Sequence, residues 1–240
     1  MVLILVGICL IIKLYSANSY RVETGYSSVF FPSFAASLRA VLGNFDTSAG
    51  DILYGMLVAL LIFKATSWLI QRFRNRKVKS SKILWRNMLY NSLLFACTVY
   101  ILFNVFWGIN YNRKGIAWQL QLPALTYTSE ELKELNCLLL VKINNSKLSL
   151  INSKRAYPSN KDLFRGVSDA FKQAGENHSF LQYKNPCIKK SLWGWFGNYA
   201  GFTGYYNPFT GEAQVNTTVP GFIQPFTSCH EVAHQLGYAK

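Results

Sequence analysis

Two apolar runs on either side of a short basic stretch constrain this chain more than any other feature. Residues 52–70 (ILYGMLVALLIFKATSWLI) carry one charge, Lys64, and residues 88–109 (MLYNSLLFACTVYILFNVFWGI) carry none. About 20 consecutive apolar residues cross the hydrocarbon layer as a helix, so both runs are expected to span a membrane. Trp68, Trp85, Tyr90 and Trp107 fall near the run ends, where aromatic rings anchor at the interface. Between the runs lie Arg72, Arg74, Arg76, Lys77, Lys79, Lys82 and Arg86, with no acid among them. Cytoplasmic loops are enriched in Lys and Arg, so 71–86 is predicted to be cytoplasmic. Residues 16–51 and everything after about 110 are then extracytoplasmic.

A shorter run, Met1–Ile12, precedes Lys13. It is read as a short membrane helix in preference to a signal-peptide core, because no basic residue stands before it. The loop 16–51 is rich in aromatic residues (Tyr20, Tyr26, Phe30, Phe31, Phe34, Phe45). It is read either as a plain connection or as carrying an amphipathic segment near Pro32–Leu42 at the outer interface. The net charge of +14 follows largely from the basic stretch. That stretch has one interleaved aromatic residue and is pinned between two spans, so the charge speaks for orientation and not for nucleic acid. An aromatic content of 15% excludes a disordered chain.

Residues 110–128 read as an extended linker. Thr128-Ser129-Glu130-Glu131 resembles a capping box ahead of Leu132, Leu135, Leu138, Leu139 and Ile143, which predicts a helix over 129–146. A second helix is predicted over 160–174, with Asn160 as N-cap and Gly175 as stop. Tyr205–Tyr206, a turn at Asn207-Pro208-Phe209-Thr210-Gly211, and Glu212–Val219 predict a hairpin. A last helix follows over about 226–237.

That helix carries His230-Glu231-Val232-Ala233-His234. Histidines at i and i+4 share one face and can aim ring nitrogens at one metal ion. Glu231, beside the first histidine, is placed to take a proton from an attacking water and return it to a leaving amine. The pattern is HExxH, the zinc-peptidase signature, so zinc is the expected cofactor, His230 and His234 its ligands and Glu231 the general base. A catalytic zinc takes three protein ligands and keeps one position open. His178 is the upstream candidate for the third, although its surroundings read as a surface loop. Glu212 is read as a strand residue lining the cleft. The strand Glu212, Ala213, Gln214, Val215 and Asn216 is expected to bind substrate as an edge for extended peptide, with Tyr205 or Tyr206 donating to the oxyanion. Cys9, Cys97 and Cys229 read as packed residues, and a Cys137–Cys187 pair in the exported half is left open.

Four segments carry a family resemblance: Gly50–Tyr54, Trp107–Arg113, Gly204–Asn216 (GYYNPFTGEAQVN) and Cys229–Ala239 (CHEVAHQLGYA). With these the chain resembles, over nearly its whole length, an uncharacterised membrane family known as domain of unknown function 3810, grouped with zincin-like peptidases. The resemblance implies a membrane-anchored metallopeptidase of unknown substrate. It also implies an acidic segment after the HExxH helix with a Glu as third ligand, so the chain is expected to be truncated after Lys240 and, as a fragment, inactive. The expected architecture is an α-helical membrane anchor over 1–109, with two to three transmembrane helices at about 1–15, 52–70 and 88–109. A linker, 110–128, leads to an α+β zincin-like extracytoplasmic domain over 129–240, incomplete at its C-terminus. The expected setting is the cell (inner) membrane, multi-pass, with the lipid bilayer and a peptide or protein substrate as partners. The alternative is a non-catalytic zincin-fold scaffold or peptide-binding protein of the envelope. An intramembrane protease is set aside, because residues 226–238 are too short and polar to span.

Overall fold

The computed structural model describes residues 1–74, 82–122, 126–153 and 156–239. Arg76, Lys77 and Lys79 of the basic stretch, and part of the expected linker, lie outside the described residues. Two helices are long and apolar enough to cross a membrane: Ala49–Gln71 within α4 (Ala49–Arg74) and Arg86–Phe106 within α5 (Lys82–Phe106). The first helix, α1 (Val2–Ser16), packs along α5. Joined to Ser19–Leu42, from which it is bent by 94°, it makes a broken span or a re-entrant loop.

Residues 19–42 are helical throughout: α2 (Ser19–Arg21), a π-helical stretch Val22–Phe30, and α3 (Phe31–Leu42). Asn18 caps the start by accepting from Arg21 N. Pro32 lies where the π-helical stretch passes into α3 and supplies no N–H to the preceding turn. The apolar face of this helix turns into the protein core and not toward lipid. Val22, Tyr26, Phe31 and Ala35 are buried with Ile12, Trp107 and Ile109, each large side chain contributing about 1.5–3 kcal/mol.

The segment expected to be an extended linker is instead folded, as a 3₁₀ turn Gly108–Asn112 and α6 (Ile116–Gln119). The reason is a buried ion pair. Arg113 donates to Glu23 through Nε at 3.1 Å and Nη2 at 2.5 Å, and Lys114 N and Gln119 Nε2 complete the shell at 3.0 and 2.6 Å. The expected boundary at 109/110 therefore separates two stretches of sequence that share one core.

Beyond it, α7 (Ser129–Ser153) begins at the expected capping box, with Thr128 N donating to Glu131 and Glu131 N to Thr128 Oγ1. The next helix, α8 (Asn160–Asn177), is capped by Ser159 and not by Asn160. It runs past Gly175, whose bare Cα lets the chain pass against Gln182. A three-stranded sheet follows, from β1 (Ile188–Lys190), β2 (Gly204–Asn207) and β3 (Glu212–Val215), in the order β1-β3-β2. β3 runs parallel to β1 and antiparallel to β2. Between β1 and β2 lies α9 (Gly194–Ala200), and α10 (Gln224–Gln235) closes the chain.

The sheet is a partition between membrane helix and HExxH helix. On one face Gly204 of β2 meets Thr227 and Glu231 of α10. On the other, Ala49 N and Gly50 N at the start of α4 donate to the Glu212 carboxylate at 3.0 and 2.6 Å. A carboxylate satisfies the free N–H groups of a helix start and matches its dipole. Gly50 is required there, because a Cβ would lie 2.5 Å from Asn207 Nδ2. Trp107, the residue after α5, donates to His234 O of α10, so both apolar helices join the same folded body, α4 at one face of the sheet and α5 by way of the helix on the other.

Candidate metal site

α10 lies on the sheet through Val232, Thr227 and Ser228, all buried. Its other side presents the two histidines. His230 Nε2 and His234 Nε2 are 3.1 Å apart, with the rings at 83°. Two nitrogens bound tetrahedrally to one zinc at about 2.0–2.1 Å sit roughly 3.3 Å apart, so the pair converges as a single ion would require. His234 Nδ1 lies 2.6 Å from Tyr238 O. A carbonyl only accepts, so Nδ1 carries the proton and Nε2 keeps its lone pair. Burial, and after it the neighbouring His230, holds the His234 pKa below its ordinary value, against the Tyr238 hydrogen bond. The ring is therefore neutral at pH 7 and fit to ligate.

Tyr238 O reaches His234 because the helix ends in a tight turn. Tyr238 N donates to Ala233 O and Gly237 N to His234 O, and Gly237 has φ +85°, a left-handed conformation that favours glycine. A Cβ at Gly237 would stand 2.9 Å from Asn110 Oδ1 and 3.0 Å from the Phe31 ring. The carbonyls left over at this helix end are taken from the membrane side. Trp107 Nε1 donates to His234 O at 2.9 Å, Arg39 Nη1 to Gln235 O at 3.2 Å and Arg113 Nη1 to Leu236 O at 3.3 Å. Gln235 itself binds Cys187 O and Gly211 O, both at 2.7 Å. Residues far earlier in the sequence thus fix the end of the histidine helix.

Glu231 is 4% exposed, and its Oε2 is buried with no hydrogen-bond partner. Gly204 makes room for it, since a Cβ there would lie 2.9 Å from Glu231 Cγ. Burial alone pushes the carboxyl up to about 8. Buried polar atoms without partners are rare and cost free energy. The orphaned carboxyl oxygen lies on the sheet-facing side of the helix whose other side carries the two converging nitrogens, and it keeps unused bonding capacity. A largely apolar cavity of about 540 Å³, lined by Phe171, Leu181 and Ile116 among others, opens onto both histidines.

The other expected site residues lie elsewhere. His178 is exposed at the end of α8, its ring near Phe180. Among the described residues no third His, Cys, Asp or Glu joins the pair to form a metal-binding group. Glu212, Ala213, Gln214, Val215 and Asn216 are fully buried, and β3 is paired on both sides. The strand expected to offer an edge is thus central, because the three-residue β1 takes one of its flanks. Tyr205 OH donates to the Asp51 carboxylate on the α4 side of the sheet. Tyr206 packs 5.7 Å from the Trp107 ring, with its hydroxyl buried and unpartnered. Cys137 and Cys187 are both free, one exposed and one buried. Arg39, Arg113 and Gln235 hold this helix end with no local sequence pattern that marks them for it, and Trp107, expected as an interfacial anchor, bonds it as well.

No curated protein and no solved structure matches the chain. Residues 26–240 match the model of a family described as "Protein of unknown function (DUF3810)". With nine-tenths of its residues inside that match, and the quoted WGINYNR, GYYNPFTGEAQVN and HEVAHQLGYA segments within it, the chain belongs to the DUF3810 family.

Proposed function

We propose that the protein is a membrane-bound, zinc-dependent peptidase with a zincin-like site, acting on polypeptide at the extracytoplasmic surface. The observation that carries this reading is the pair of converging His Nε2 atoms on the helix that also carries the buried, partly unpartnered carboxyl of Glu231. His230 and His234 supply two of the three protein ligands that a catalytic zinc takes. Zinc would supply a Lewis acid that polarises the scissile carbonyl and acidifies water. Glu231 holds the proton removed from the attacking water and passes it to the leaving amine. β2, an outer strand adjoining Glu231, is the better edge for extended substrate. The basic stretch supports the orientation. Because His234 hydrogen-bonds the residue that follows the Arg86–Phe106 span, the substrate this site suits is one lying close to the bilayer.

A second reading, a non-catalytic envelope scaffold or peptide-binding protein, is favoured by the absence of a third ligand among the described residues. One experiment separates the two. Zinc content and cleavage of an unfolded, membrane-tethered polypeptide are measured for the detergent-purified protein and for Glu231→Gln. The peptidase reading expects zinc in both, with cleavage falling at least about 100-fold in the variant. Undiminished cleavage by Glu231→Gln sinks the catalytic role, and zinc without cleavage in either protein supports the scaffold.

A further inference from the structure

The short helix α9 is built inside out. Its inward face is Gly194 and Gly197. A Cβ at Gly194 would meet Asn216 at 2.6 Å and one at Gly197 would meet Phe202 at 2.8 Å. Asn198 bonds Asn216 and Thr218. Its outward face is aromatic: Trp195 is 59% exposed, Phe196 51% and Tyr199 86%. A surface helix normally turns its apolar side inward, and a contiguous exposed apolar patch marks an interaction surface. No charged residue occurs from Leu192 to Ala200, and the amide of Asn198, although exposed, is bonded to Asn216 and Thr218.

The position of this ridge identifies what covers it. Trp193, at its start, donates Nε1–H to Asp51 O at 3.2 Å, and Leu192 N donates to the Asp51 carboxylate at 2.6 Å. The Trp193 ring lies over Gly55, where a Cβ would come within 3.1 Å of it. Gly55 is six residues inside the Ala49–Gln71 span, roughly 9 Å down the helix from Ala49. The ridge therefore begins at a depth where α4 is already entering lipid. Beside it, Ile52 and Met56 of α4 are exposed, so the aromatic surface continues the lipid-facing surface of the span. Trp and Tyr favour the membrane interface, where a ring is half apolar and half wet. Lys190, exposed just before the ridge, places a cation at the level of the lipid phosphates.

We infer that the α9 ridge of Leu192, Trp195, Phe196 and Tyr199 is inserted into the interfacial layer of the bilayer that α4 crosses. The sheet-bearing half is then held to the membrane by a third attachment besides the two spans. The inference is independent of any catalytic role.

The test uses the whole protein in vesicles of phosphatidylethanolamine and phosphatidylglycerol, with and without phosphatidylcholine brominated near the top of its acyl chains. Tryptophan emission is compared between wild type and Trp195→Phe, which isolates the Trp195 signal. Bromine should quench most of that signal and aqueous iodide very little of it. If Trp195→Phe fails to fold, Tyr199→Trp adds a probe at the most exposed ridge position, and its added emission should respond in the same way. Quenching by iodide but not by bromolipid would place the ridge in water and overturn the inference. Protection from both quenchers would mean that another protein or a second copy covers the ridge, and would overturn it equally.

Discussion

Glu212 and Glu231 sit on opposite sides of one small sheet, both nearly without exposure, and the protein treats them in opposite ways. Glu212 accepts from two backbone N–H groups of α4 and is further contacted by Ser48, Thr210 and Gln214. Glu231 has one oxygen with no partner, and its proton affinity is raised by burial alone. A buried carboxylate whose lone pairs are all used holds structure in place. One left with spare bonding capacity, on a helix that presents two histidines, is poised for something outside the fold. Burial alone does not distinguish these cases; the hydrogen-bond inventory does.

The largest expected effect lies on the structural side. Glu212→Ala leaves the start of α4 uncapped inside the protein, together with three side chains that had pointed at the carboxylate. Removing a buried, multiply bonded charge costs about 3–5 kcal/mol. In detergent the variant should unfold at markedly lower temperature than wild type, or fail to accumulate. A variant of near wild-type stability would show that Glu212 is not the bolt between membrane helix and sheet, and the comparison would collapse.

Glu231 should behave in the reverse manner. In the presence of a chelator, the native state holds a proton up to about pH 8, whereas an ordinary carboxyl gives it up near 4.5. The folded state binds the extra proton between those values, so stability is greatest below about 4.5 and falls as pH rises towards about 8. The slope is at most about 1.4 kcal/mol per pH unit. Glu231→Gln cannot titrate and should flatten this dependence. Unfolding temperatures measured across that pH range, with no zinc present, check the point apart from catalysis. Persistence of the slope in Glu231→Gln would assign it to another group.

How far the sequence showed this arrangement varies along the chain. The spans, the 204–215 hairpin and the HExxH helix were legible because each is a local pattern: an apolar run of sufficient length, Asn-Pro and Thr-Gly turn chemistry, and histidines at helical spacing. The helix over 19–42 was only half read. Its expected amphipathic segment near Pro32–Leu42 was assigned to the outer interface, whereas the residues that bury this helix, Ile12, Trp107 and Ile109 with Gly237 against Phe31, are mostly far off in sequence. The role of Glu212 was misjudged for a similar reason. Alternation along EAQVN marks one apolar and one polar face, and a polar face is ordinarily a wet one. Here a helix N-terminus from the other end of the sequence covers it. The parallel strand β1 has only three residues and pairs with β3 across a gap of more than twenty, so the Asn185-Pro186 turn ahead of it is its one local mark and nothing local points to its partner.

A smaller effect is expected at the turn that orients His234. Gly237→Ala forces a Cβ toward Asn110 and Phe31 and puts a side chain where φ is +85°, at a cost of about 1–3 kcal/mol. The change should also move Tyr238 O off His234 Nδ1. Zinc affinity should fall by about 10-fold or more, a loss that heat stability alone would not report. A variant that unfolds earlier but binds zinc as tightly as wild type would show that the turn serves the fold and not the histidine.

The smallest effect tests whether the membrane helix reaches the site through a bond or through packing. Trp107→Phe keeps an aromatic ring against Tyr111 and Tyr206, whose rings stand 5.0 and 5.7 Å from the indole. It removes the N–H that donates to His234 O. One hydrogen bond to a helix-end carbonyl contributes about 1 kcal/mol, and the ring volume lost is small, so the unfolding temperature should drop only slightly. Trp107→Ala, which also empties the space beneath the sheet, should cost about 3–5 kcal/mol. If the two variants are equally destabilised, the indole N–H carries most of what Trp107 does. If Trp107→Phe is indistinguishable from wild type in stability and in zinc binding, α5 supports the histidine helix by contact alone, and Arg39 and Arg113 hold its end.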